Sequence, residues 1–185
     1  MKRHVTKQCT RVAKSGVLAK ENLSSRPGDC NRSAKEMRIH SLPLDELIAR
    51  GVSPSFARIL CDPDSYHPNL SIHIGTTNWD YFIPADATDI VPLWDSNADS
   101  FVRWTRAGTI EYVWLFHDDP KWILIARSEQ GVMAELWQQW AEFQESDEEC
   151  LRFADAIGFR YAEEGLKIIE NDSDTINRWR LELTD

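Results

Sequence analysis

The chain has 185 residues, 42% of them hydrophobic, with eight tryptophans and seven phenylalanines; each such ring buries roughly 150–250 Å² when packed, enough in sum for one domain with a real core. Its formal net charge of −9 is uneven: residues 1–38 hold ten Lys/Arg and three Asp/Glu, a net of +7, while residues 39–185 hold eleven basic and twenty-seven acidic residues, a net of −16. A wholly disordered chain is excluded by this composition, and so is direct nucleic-acid binding by the acidic body, which lacks the cations that neutralise phosphates.

No apolar run approaches the roughly 18–20 residues that cross a bilayer, and residues 1–20 carry no secretory h-region. Cys9, Cys30, Cys61 and Cys150 are scattered without a C-x-x-C pair, so the expectation is a cytoplasmic protein with reduced thiols and no membrane or metal partner.

Residues 1–36 have few large apolar side chains and no sustained period, too little to offset the entropy of ordering. They read as a flexible basic tail, more often solvated in such cases than bound to nucleic acid or anionic lipid. Met37, where structure begins, marks an alternative start. Residues 37–185 then form the domain.

Pro43 sits at the first position of "PLDELIARG", with acids in the first turn and Gly51 after the last, the asymmetry of a short helix. Ser53 caps "PSFARILC", whose Phe56, Ile59 and Leu60 share one side. "DPDSYHPN" is a loop, and "LSIHIG" alternates as a brief strand. Residues 89–94, 101–106, 110–116 and 121–126 are rich in β-branched and aromatic residues and joined by short turn-like links, which predicts an antiparallel meander. The last two strands are nearly continuously apolar, so both sheet faces need cover, assigned here to helices.

"SEQGVMAELWQQWAEF" places Met133, Leu136, Trp137, Trp140 and Phe143 in one stripe, with Glu135, Gln138, Gln139 and Glu142 opposite. Ser146 and Glu149 make an S-x-x-E capping box for a further helix that Gly158 stops. "LKIIENDSDTINRWRLEL" is compatible with a hairpin about Asn171–Asp174 or a helix after Asp174. The sum is a single α+β domain, a twisted, mainly antiparallel sheet packed by helices.

Two places invite a functional reading. His117-Asp118-Asp119 before Pro120 could chelate a divalent metal, since imidazole nitrogen and carboxylate oxygen both donate lone pairs, and would then serve a metal-dependent hydrolase. Pro120 cannot donate to a ladder, however, and Asp favours tight turns, so a bend between two strands is the simpler expectation. No nucleophile elbow, phosphate loop or dinucleotide fingerprint occurs, and Cys61 and Cys150 on helices read as buried, inert thiols. Tryptophans 94, 104, 114 and 122 read as core. The second place is acidic: Glu142, Glu145, Asp147, Glu148 and Glu149 cluster where one helix ends and the next begins, which suits capping or, with Asp118 and Asp119, a docking face that attracts a basic partner.

Gly51-x-x-Pro54 before Phe56 and Leu60, the turn Asn97-Ala98-Asp99, Gly108, the His117-Asp118-Asp119 turn and Ala126-x-Ser128 before the long helix follow one another in an order that resembles the SMI1/KNR4 (SUKH) superfamily over roughly residues 43–143. "CDPDSYHPN" departs from the Asn-Gly-Gly-like end such proteins often give the second helix, and Ala98 stands where glycine is common. The resemblance implies an α+β protein-binding module without catalysis or cofactor, of the kind that includes immunity proteins blocking a toxin domain. An acidic inhibitor of this sort suits a basic toxin, because its carboxylates can occupy the place of substrate phosphates.

Overall fold

In the computed structural model the described residues are 34–68, 70–144 and 146–185. Their centre is a four-stranded antiparallel meander of β3 (Ala87–Ser96), β4 (Asp99–Arg106), β5 (Thr109–Leu115) and β6 (Trp122–Ala126), in that spatial order. Two-residue turns explain the order. Asn97 and Ala98 have φ of 54° and 68°, and Ala107 and Gly108 have 49° and 77°, the left-handed pairs whose twist matches that of the flanking strands.

Strand alternation sends neighbouring side chains to opposite faces. Phe101 points to one core and Val102 and Trp104 to the other, while across the ladder Tyr112 and Trp114 oppose Val113 and Leu115 in the same way. Trp94 and Trp104 are fully buried and Trp114 and Trp122 partly so, which places all four in or against the cores.

Helices cover the first face. α1 (Leu44–Ala49) and α2 (Pro54–Cys61) precede the sheet, and α3 (Glu129–Ala141), α4 (Asp147–Ile157), α5 (Ala162–Ile168) and α6 (Ser173–Glu182) follow it. The expected caps are present: Ser53 Oγ accepts from Phe56 N and Ser146 Oγ from Glu149 N, and Gly158 ends α4 at φ 75°; Ser128, which the spacing did not mark as a cap, also accepts through Oγ from Gly131 N at the start of α3. Asp172 caps α6 by accepting from Thr175 N, so the C-terminal segment is helical and not a hairpin.

The second face is covered otherwise than expected. A two-stranded antiparallel ribbon, β1 (Ala34–His40) with β2 (Asn78–Pro84), lays Ile39, Tyr81 and Ile83 over Val102, Trp104, Val113 and Leu115. Helices therefore supply only half of the cover, and residues 34–36 belong to a strand, so the ordered domain begins before Met37. The remainder of the proposed tail lies outside the described residues.

Other expectations are corrected by packing. "LSIHIG" forms a 3-10 turn at Leu70–Ile72 and a single bridge from Gly75 to Asp95, not a strand. Glu135 is buried at 8% exposure and paired with Arg180 of α6, itself 7% exposed. Burial pushes the Arg180 guanidinium down to about 10, still charged at neutral pH. Phe143 leaves the stripe because α3 ends at Ala141, and Cys61 is exposed, whereas Cys150 is buried as expected. Among the described residues no helix is long and apolar enough to cross a membrane.

Candidate functional site: an acid-rimmed apolar patch

The link between α3 and α4 is built by the end of one helix stripe and the start of another capping box. Glu142 is the C-cap of α3, and the Phe143 and Gln144 amides donate back to Trp140 and Ala141 carbonyls, which turns the chain outward. Ser146, the N-cap of α4, sets Asp147, Glu148 and Glu149 in the first turn, where carboxylates favour the helix dipole. Glu142, Asp147 and Glu148 are exposed and Glu149 half-buried, the last within 3.9 Å of Arg152. Glu145 lies outside the described residues.

The loop after α2 folds over this junction. His67 meets Trp140 and Phe153 edge-on at 4.8 and 5.5 Å between ring centroids. Asp64 accepts from both the backbone amide and hydroxyl of Ser71, which fixes the following turn and holds the Asp64 carboxyl below its usual range. That turn presents Ile72 at 76% exposure and sets the His73 ring 6.0 Å from that of Phe143, which is itself 74% exposed. Burial lowers the His73 imidazole from its ordinary value, so at neutral pH it adds a neutral, flat surface to the patch. Two large apolar side chains thus stand in water, Phe143 against the His73 ring and Ile72 next to His73 in the chain, and Phe143 is flanked in sequence by the exposed carboxylates of Glu142, Asp147 and Glu148.

Sequence spacing identified the carboxylates and missed the apolar centre. Phe143 follows Trp140 by three residues and so continues the core stripe on paper; the available signal was the Ser146 cap, which requires the preceding helix to stop before it. Ile72 was hidden in an alternating run whose buried members, Leu70 and Ile74, are in fact one helical turn apart.

The His117-Asp118-Asp119 segment is the bend between β5 and β6. His117 Nδ1 lies 3.2 Å from Asp99 Oδ1, and Asp119 accepts from the Lys121 backbone at 3.0 Å and side chain at 3.2 Å. Asp118 is exposed. Among the described residues no three His, Cys, Asp or Glu side chains are gathered to hold a metal ion. The turn and the helix junction have separate partners, so the acidic residues named from the sequence divide into two groups. Compared with family models, curated proteins and solved structures, the chain has no match.

Proposed function

We propose that the chain is a non-catalytic protein-binding module of the SMI1/KNR4 (SUKH) kind that docks a basic protein domain, in the manner of an immunity protein occluding a toxin. The observation that carries this reading is the exposure of Phe143 and Ile72, joined through His73, next to a chain segment that carries the exposed carboxylates of Glu142, Asp147 and Glu148. Interface energy concentrates in a few large side chains that become fully desolvated, while the charged rim steers encounter and rejects partners of the wrong sign. A body of net −16 over residues 39–185 extends that steering to distances of about the Debye length, ~8 Å at physiological salt.

The test is capture of partners from the native cell with the full chain, with Phe143→Ala and with Glu148→Lys, all three first shown to melt alike. The expected result is one stoichiometric basic protein, weakened by Phe143→Ala by about 2 kcal/mol or more, as for an interface anchor. Glu148→Lys should slow association at low salt and have little effect at high salt. Equal recovery by all three proteins would remove this face from consideration, and recovery of no protein by any of them would count against the binding reading itself.

A further inference from the structure

A second feature lies on the helical face of the sheet, away from the patch in chemistry as in residues. A cleft of ≈ 380 Å³ opens where the start of α2, β4, β5, the start of α3 and the end of α4 converge. Three arginines line it, Arg103, Arg127 and Arg160, together with the carboxylates of Glu129 and Asp185 and the phenol of Tyr112. Its apolar lining comes from Ile110, Met133 and Ile157.

The charges are not equivalent once their partners are counted. Glu129 Oε1 accepts from the Ser53 amide at 2.6 Å, and Asp185 Oδ1 accepts from the Gln130 amide at 3.0 Å. Both carboxylates thereby face helix N-termini, whose partial positive charge offsets them. Arg103 is fixed beneath the cleft: its Nη1 donates to Arg50 O at 2.8 Å and Asp89 Oδ2 at 3.2 Å, and it faces Tyr112 as cross-strand neighbour. Burial raises the Tyr112 phenol, with the Glu129 charge adding to the effect, so Tyr112 remains a neutral hydrogen-bonding group.

Arg127 and Arg160 are different. Both are exposed; Arg160 donates through Nη2 to Thr184 O at 3.2 Å, and Arg127 makes no hydrogen bond or ion pair among the described residues. A guanidinium offers five donors in a planar fork matched to carboxylate or phosphate; Arg160 also lies over the Tyr161 ring at 5.9 Å, and among the described residues neither arginine is paired with a carboxylate. The volume is that of a small-molecule site, at the lower end of the range of about 300–1,000 Å³.

From this imbalance we infer that the cleft binds a small organic anion, its carboxylate or phosphate held between Arg127 and Arg160 and its apolar portion against Ile110, Met133 and Ile157. Arg103, tied to Asp89 and the Arg50 carbonyl, holds the floor of the cleft in place. The site is independent of the Phe143 patch.

The test is calorimetric titration of the full chain at low ionic strength with phenyl phosphate, phenylacetate and, as the uncharged control, benzyl alcohol. Saturable binding of at least one anion is expected, with benzyl alcohol much weaker. The stronger of the two anions identifies whether phosphate or carboxylate is the preferred group. Arg127→Gln and Arg160→Gln, both surface changes whose folding is checked by melting, should each weaken that anion about tenfold, the loss of one charge-assisted hydrogen-bonding group. Phe143→Ala should leave it unchanged. The inference is overturned if neither anion binds, if benzyl alcohol binds as well as the anions, or if binding survives both arginine substitutions.

Discussion

The two faces of the meander are covered by different means. On one side six helices pack a broad core with a buried charge pair inside it; on the other a single ribbon closes a small core of Ile39, Tyr81, Ile83 and four sheet residues. The ribbon shares no ladder with the meander, so side-chain packing and a few polar contacts hold it. The helical side is tied by caps, crossing helices and the Glu135–Arg180 pair. The comparison predicts unequal cooperativity: the ribbon is expected to loosen while the meander persists, and the helical side to open only together with it.

Breaking the pair should give the largest effect. Glu135→Ala leaves the Arg180 charge buried without its carboxylate, a loss of about 3–5 kcal/mol, read as a lower denaturant midpoint for the whole domain. Replacing both residues by methionine should recover most of that loss, because an apolar pair carries no desolvation cost. If the single and double variants are equally unstable, the charged pair supplies something that apolar volume cannot replace.

The ribbon responds in another way. Ile39→Ala removes a side chain that is buried in the small core, at a cost of about 2–5 kcal/mol. Amide exchange should accelerate in β1 and β2 while β4 and β5 keep their protection, the mark of sub-global opening. Uniform acceleration across all six strands would show that the two faces unfold as one.

Much of this contrast was concealed in the sequence for physical reasons. The meander and α1 to α4 were legible because Pro43, Ser53, Ser146, Gly51 and Gly158 punctuate them and because aromatic and β-branched residues crowd the strands. β1, "AKEMRIH", mixes charges with Met37 and Ile39 beside a basic, apolar-poor stretch, and its pairing with β2 joins residues as far apart as Ala34 and Pro84. A strand whose support is that distant gives a weak local signal. The same limit applies to the candidate sites. The acidic junction is contiguous and was read directly, whereas the cleft assembles Arg103 from β4 with Arg127 and Arg160 from two separate links, and the Phe143 patch depends on a helix ending at Ala141.

Tyr81→Phe is a smaller probe of the ribbon. The Tyr81 hydroxyl donates to Ala98 O at 2.9 Å and lies 3.4 Å from Asp95 Oδ1, so it ties the ribbon to the β3–β4 turn. Removing it should cost about 1 kcal/mol, the net worth of a hydrogen bond, with faster exchange at the turn than at the far end of the ribbon. No change in either quantity would mean that packing alone attaches β2.

The smallest expected effect separates strain in that turn from its attachment. Ala98 holds φ of 68°, where a β-carbon costs about 1–2 kcal/mol. Ala98→Gly relieves that strain but frees the unfolded chain, which takes back about 0.4–1 kcal/mol. The balance predicts a gain of about 0.5 kcal/mol, measurable as a raised denaturant midpoint. Tyr81 donates to the Ala98 carbonyl, so the two residues are in contact and need not act additively; a double-mutant cycle with Tyr81→Phe measures their coupling. Additivity to within about 0.5 kcal/mol would mean that the strain is local to the backbone, and a larger departure that the ribbon itself forces the left-handed turn. In that case the weaker cover would set the register of β3 on β4 and, through β4, the position of Arg103 beneath the cleft.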